Sequence, residues 1–247
     1  MSSEILISVV TPCFNSAKTI RRTFDAMLRQ TYRNIEYIVV DGGSTDGTLD
    51  IIREYERKFP FTFRYLSEPD EGIYNAMNKG IRMCNGVLIG IINSDDYYQD
   101  DAIETMADVY DGQDYRIQYG FQRNWKNGEE TQVFLCNHKQ LQYMMVTHST
   151  CFVTAKLDRD LGVFDETYKS AADYDFMIKV YKEKPDCFFP IYQIISNFEE
   201  GGISSTQTGV RETLKIRLKH GYIGKSRYIV EMLYSRLVEL VQWLKKK

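Results

Sequence analysis

The sequence predicts an α/β fold: a mostly parallel central sheet with flanking helices and a C-terminal helical extension. Three observations carry that expectation. Short apolar runs alternate with amphipathic stripes from Ile5 to Asn93, each run ends in a polar turn cluster, and the chain from Arg211 onward changes to helical spacing with a basic balance.

Taken in order, Ile5 to Thr11 is an apolar run closed by Pro12, as in a buried strand. Ser16 is placed to cap a helix whose stripe is Ile20, Phe24, Met27 and Leu28. Ile35 to Val40 reads as a second strand ended by Asp41-Gly42-Gly43, and Ser44 opens a helix striped by Leu49, Ile52 and Tyr55. Phe63 to Leu66 is a third strand, Ile73 to Met83 a third helix, and Val87 to Ile92 a fourth strand. Tyr115 to Arg123 and Thr131 to Cys136 flank Asn127-Gly128, a hairpin turn signal. A helix near residues 139–145, a strand near 150–154 and a helix from about 173 to 183 follow, and two helices close the chain. The expected division is a main domain over 1–210, halved at residue 98, and a basic amphipathic tail over 211–247.

Charge is divided along the chain. The net of −3 over 247 residues combines an acidic body with a basic end: residues 211–247 hold ten Lys or Arg against three Asp or Glu. That balance excludes a dedicated nucleic-acid binder, which carries a basic excess throughout. Five widely spaced cysteines, odd in number and without a Cys-x-x-Cys pair, fit neither a disulfide framework nor a zinc site. No apolar run approaches the roughly 20 residues of a membrane helix, and no signal peptide is visible, so a cytoplasmic protein is expected.

Ligands of open parallel sheets bind beyond the carboxyl ends of the strands. Three polar clusters fall there: Thr11-Pro12-Cys13-Phe14-Asn15, Asp41 to Gly47, and Asn93-Ser94-Asp95-Asp96. Neither Gly-x-Gly-x-x-Gly nor Gly-x-x-x-x-Gly-Lys-Ser/Thr is present, which removes the common dinucleotide and P-loop readings. Adjacent Asp95 and Asp96 suit a hard cation such as Mg2+ or Mn2+ shared with phosphate oxygens. A solvated turn capping the next helix is the competing reading.

These segments resemble glycosyltransferase family 2. Ile7 to Asn15 resembles its opening strand, Asp41 to Thr48 its second-strand motif, Glu71 to Gly80 its third-helix segment, and Asn93 to Asp96 its Asp-x-Asp-type metal motif. A weaker similarity continues through His148 to Thr150, Gly162 to Asp165, Ala171 to Asp175 and Gly201 to Ser204. The resemblance implies a GT-A fold and inverting transfer of one sugar from a nucleotide-diphosphate donor, usually UDP-linked. It puts Thr11, Pro12, Asn15 and Asp41 at the base, and Gly72, Asn78, Lys79 and Asn93 on the donor side. Asp95 then faces ribose and metal, and Asp96 binds the Mn2+ or Mg2+. Asp173 matches the aspartate of the family's Glu-Asp base motif, with Ala172 where glutamate is common; Asp175 is its rival. His148 falls near the acceptor or diphosphate, unless it is structural. Residues 197–206 are either a lid or a surface loop.

The resemblance also implies a glycan or lipid-linked saccharide acceptor of the capsule or lipopolysaccharide type. A sugar nucleotidyltransferase and an inactive nucleotide-sugar-binding protein are the alternatives. The basic tail fits peripheral contact with the inner membrane face; packing on the domain, or a homodimer contact, accounts for its apolar stripe as well.

Overall fold

The computed structural model describes residues 4–201 and 206–245. Strands β1 (Ile7–Cys13), β2 (Ile35–Asp41), β3 (Thr62–Ser67) and β4 (Leu88–Ile91) are joined by helices α1 (Ile20–Arg29), α2 (Thr48–Glu56) and α3 (Ile73–Met83). They lie side by side in the order β3-β2-β1-β4, all parallel. Period-two alternation sorts their side chains. Val9, Tyr37 and Val39 pack with Phe24, Met27 and Ile52 on the face covered by α1 and α2. Val10, Ile38 and Val40 pack with Tyr74, Met77 and Ile81 of α3 on the other.

Short β5 (Tyr97–Tyr98) and α4 (Ala102–Asp108) lead into β6 (Ile117–Lys126) and β7 (Glu129–Phe134), joined at Asn127 and Gly128 with φ of 54° and 83°. Positive φ at both central residues is what a tight hairpin turn demands, and Asn-Gly is the pair that tolerates it. β8 (Cys151–Thr154), α5 (Ala155–Leu161), α6 (Ala172–Glu183) and β9 (Phe188–Glu199) follow. β8 runs antiparallel between β4 and β6, and β9 pairs parallel with β6, giving one nine-stranded mixed sheet. Helices α7 (Gln207–Lys219) and α8 (Lys225–Lys245) end the described chain.

Some sequence expectations shift. β1 runs through Pro12 to Cys13 because β4 pairs only as far as Val10, so a proline without an N–H is accommodated there. Ser16 does not cap α1, which begins four residues later; its hydroxyl bonds Ser94 at 2.7 Å instead. Ser44 does not open a helix; α2 starts at Thr48, whose N–H and hydroxyl meet Asp46 Oδ1. Residues 138–140 make a single 3-10 turn rather than a helix over 139–145. The long strand β9 was not anticipated; its first nine residues mix exposed and buried side chains without a clean period.

The boundary expected at residue 210 falls inside α7, which is tied to α6: Lys219 Nζ and His220 Nε2 meet Asp175 at 2.8 and 2.7 Å. Glu212 accepts from the Lys169 and Ser170 N–H groups at 2.9 and 2.8 Å. α8 rests on α7 through Arg211–Glu239 and Ser235–Gln207, each 2.7 Å.

Candidate active site

The loops leaving β1, β2 and β4 converge at one end of the sheet and are stitched together by short polar side chains. Asn15, at φ 49°, donates its N–H to Ser44 Oγ at 2.8 Å and accepts from the Thr45 N–H at 2.9 Å. Asp41 is fully buried at the end of β2 and accepts from the Ser67 hydroxyl at 2.7 Å and from both the hydroxyl and N–H of Ser44. Thr11 is buried with its hydroxyl 2.9 Å from Tyr37. Together these contacts fix a rigid floor, whose mouth carries the exposed ring of Phe14.

The acid pair follows β4. Asp96 is fully buried and accepts from the Glu199 N–H at 3.1 Å and Asn93 Nδ2 at 3.3 Å. Burial first, and the neighbouring charge of Asp95 second, push its pKa up to about 8. Burial raises Asp95 as well. The side-chain amide oxygen Oδ1 of Asn93 is buried without a partner. Two carboxylates destabilised as anions, with an orphaned oxygen beside them, make an oxygen-rich site that fits a hard divalent cation. Among the described residues no third acid, histidine or cysteine completes a protein cage.

Asp173 stands in the first turn of α6 with its side chain 4% exposed. Its Oδ1 accepts from the Tyr74 hydroxyl at 2.8 Å and the Tyr174 N–H at 3.0 Å, and its Oδ2 from His148 Nδ1 at 2.9 Å. Burial, then the Asp173 charge, raise the Tyr74 phenol, which keeps it a donor. His148 begins a 3-10 turn over 148–150, held by the Ser149 hydroxyl against Gln122 and Ser196, both at 3.1 Å. Because β8 is antiparallel to β4, this turn lies beside the segment by which β4 leaves for Asp95 and Asp96. Burial works against a charged His148; the Asp173 hydrogen bond and charge, then Asp96 and Asp95, outweigh it and raise the imidazole above its ordinary value. Ala172 packs with Tyr74 and Met77, so a glutamate there would put a carboxylate into the apolar contact between α6 and α3.

The remaining expected residues are spread more widely. Gly72 caps α3 at φ 132° with open space where a side chain would lie, a backbone that disfavours any other residue. Asn78 is buried and bonds Glu166 and both backbone groups of Phe164 at 2.7 to 3.1 Å, clamping α3 to the chain before α6. Lys79 pairs with Glu68 at 2.8 Å and reaches the Pro69 carbonyl. Of the stretch weighed as a lid, residues 197–199 belong to β9 and residues 202–205 lie outside the described residues. Arg22, Tyr74 and Glu199 were missed. Arg22 bonds the Asp95 carbonyl and pairs with Glu199 at 2.8 Å across the acid turn. Only the fold brings these distant residues together, although Tyr74 lies within the Glu71 to Gly80 segment.

The profile described as glycosyl transferase family 2 matches residues 8–160. Chondroitin synthase of Escherichia coli is 29% identical over 187 residues, covering 73% of this chain and 27% of the relative. A PGL/p-HBAD biosynthesis glycosyltransferase of Mycobacterium tuberculosis is 26% identical over 208 residues, covering 81% of this chain and 80% of the relative. Among solved structures, S. aureus TarS 1-349 in complex with UDP-GlcNAc superposes with a TM-score of 0.70 at 20% identity, covering 92% of this chain and 70% of that one. The mannosyltransferase PcManGT of Pyrobaculum calidifontis, solved with GDP-Man and Mn2+, gives 0.68 at 16% identity, covering 95% and 70%. The chain thus spans about a quarter of the synthase it matches, and its fold is of the GT-A type.

Proposed function

Since the chain belongs to glycosyl transferase family 2, we propose that it moves a single sugar, with inversion, from a nucleotide diphosphate to a glycan or lipid-linked acceptor. The observation that carries this reading is the buried Asp96 beside Asp95, where three loops converge and a diphosphate with its cation would relieve the like-charge strain. UDP is the favoured nucleotide, in line with the UDP-GlcNAc complex of TarS; the GDP-Man complex of PcManGT makes GDP the competitor in any assay. In this reading Thr11, Pro12, Asn15 and Asp41 form the nucleoside end, Gly72, Asn78, Lys79 and Asn93 support the donor side, and Asp95 and Asp96 hold Mn2+ or Mg2+. When bound, the cation stabilises charge on the departing diphosphate as a Lewis acid. The general-base centre is built on Asp173, with His148 on the acceptor side. Proton removal by such a centre contributes about 10²–10⁴-fold.

The exposed face of α8 is assigned to an anionic lipid surface. Ile229, Val230, Leu233, Tyr234, Leu237 and Leu240 are each more than half exposed, and residues 225–247 carry six Lys or Arg against two Glu. No described helix is long and apolar enough to cross a membrane. The site at the inner face of the membrane is part of the same proposal.

The test of the transfer reading is nucleotide release from UDP-glucose, UDP-galactose, UDP-GlcNAc and GDP-mannose with Mn2+. At least one donor is expected to turn over, and Asp96→Ala to cut that rate by on the order of 10²-fold or more, the scale of losing a main charge-stabilising group. Release from no donor, or an unchanged Asp96→Ala rate, overturns it.

A further inference from the structure

We propose that Tyr74 is a positioning residue that commits Asp173 to take the acceptor proton on Oδ2. The inference rests on the transfer reading above; it keeps Asp173 as the base and names the oxygen and the tyrosine that work within that centre.

The partners of the carboxylate are divided unequally. Oδ1 accepts from the Tyr74 hydroxyl at 2.8 Å and from the Tyr174 N–H at 3.0 Å. Among the described residues Oδ2 accepts from His148 Nδ1 alone, at 2.9 Å. Each carboxylate oxygen offers about two lone-pair sites, so Oδ1 is filled and one site remains on Oδ2. The Tyr174 N–H belongs to the backbone of α6 and is fixed; the Tyr74 hydroxyl is the side-chain group that completes Oδ1.

Tyr74 is itself firmly mounted. It stands in the first turn of α3, 5% exposed, with its ring 5.4 Å from that of Phe164. Asn78 grips both backbone groups of Phe164, whose ring meets Phe176 of α6 edge-on at 5.6 Å. The tyrosine is thus held from its own helix and from the helix of the base. Because α3 also carries Asn78 and Lys79, the Tyr74–Asp173 bond ties the base to the helix expected on the donor side. Small misplacements of a reacting group cost rate steeply.

The other titratable groups near Asp173 leave Oδ1 to Tyr74. His148 approaches Oδ2 from the 148–150 turn, and Asp95 and Asp96 act on His148 from the acid turn. Cys151 of β8 is a thiol that burial keeps protonated. Asp175, on the same helix, is turned to Lys219 and His220.

In the step that follows, the acceptor O–H proton passes to Oδ2 while that acceptor oxygen bonds the anomeric carbon. The bond from the anomeric carbon to the diphosphate breaks, and its electron pair leaves on the phosphate oxygen. Asp173 returns its proton to solvent after the products depart.

The experiment follows nucleotide release as a function of pH, with water as acceptor, Mn2+ and the best donor of the panel, alongside UDP–Mn2+ affinity from a thermal shift. Tyr74→Phe keeps the ring and its contacts, and Oδ1 keeps the Tyr174 N–H, so the variant is expected to fold as the parent does. Its kcat should fall by about 10–10²-fold at unchanged UDP–Mn2+ affinity. The acid limb of its kcat profile should move up by about one pH unit, because a hydrogen bond to the charged carboxylate favours that form. Added to Asp173→Asn, Tyr74→Phe should cost nothing further, since residues that act as a unit are not additive. An unchanged kcat, an unmoved acid limb, a kcat loss matched by an equal loss of UDP–Mn2+ affinity, or an additive cost on Asp173→Asn overturns the inference and leaves the transfer reading standing. A parent that releases nucleotide from no donor overturns both.

Discussion

At the scale of single residues, burial and hydrogen bonding decide which carboxylates are destabilised as anions and which are held charged. Glu36 is buried at the opposite end of the sheet from the acid pair; desolvation works against its charge, but the Asn85 N–H, the Ser8 hydroxyl, the Asn85 amide and Arg64 together hold it below its ordinary pKa. A depressed acid contributes stability above its unfolded pKa and loses it as pH falls through the folded value. Glu36→Gln should therefore cost about 1.5–3 kcal/mol at pH 7, the range for hydrogen bonds to a charged group, read from the urea midpoint; an unchanged midpoint contradicts that role. Asp158 is the opposite case, with burial lifting it to about 7. Here the folded form binds the proton more tightly, so stability is complete below pH 3.8 and falls as pH rises toward 7. Asp158→Asn should raise Tm by several degrees at pH 8, at about 2–4 °C per kcal/mol, and the difference should vanish near pH 4. The sequence marks Asp41, Asp95 and Asp96 as candidates because they stand at or just beyond the carboxyl ends of strands. It was silent on Asp158 and Glu36, whose roles depend on what packs around them.

At the scale of elements, two contacts set the precision of the site. β4 passes at Gly90 so close to β8 and β5 that a Cβ would meet Phe152 at 2.6 Å and the Tyr98 hydroxyl at 2.8 Å. Gly90→Ala should cost about 1–3 kcal/mol by overpacking and displace the acid turn that follows, seen as a lowered urea midpoint with weakened UDP–Mn2+ binding. On the other side, Glu212 of α7 caps the backbone just before Asp173. Glu212→Ala leaves two N–H groups without that partner and should lower kcat for nucleotide release while UDP affinity stays unchanged; equal loss of both would place α7 in donor binding instead. The parallel β-α half was legible because strands and helices there carry clean periods and turn residues. α7 and β9 were less legible: the charges of α7 are spent on Asp175 and on the chain before α6, and β9 mixes exposed and buried residues without a strict alternation.

At the scale of the whole molecule, the division of charge acquires a structural meaning. The acidic body contains the carboxylates of the candidate donor site, and the basic end divides in two: α7 braces α6, whereas α8 presents an uncovered apolar face. A chain ending at Gly224 should therefore keep its response to UDP and lose co-sedimentation with phosphatidylserine-containing liposomes; retained sedimentation would contradict the lipid assignment, and a full-length dimer that becomes monomeric on truncation would assign the face to a second copy. Sequence periodicity showed the stripe of α8, but only the packed fold shows which side α7 covers. The central claim, a metal-dependent nucleotide-diphosphate site at the carboxyl ends of β1, β2 and β4, is tested most directly by the thermal shift of the full chain with UDP in the presence of Mn2+ and of EDTA. Ligand at 100 times its Kd stabilises by about 2.7 kcal/mol. A clear rise in Tm with Mn2+ that EDTA and Asp96→Ala abolish is expected; no shift with UDP or GDP at any metal concentration would rule such a site out.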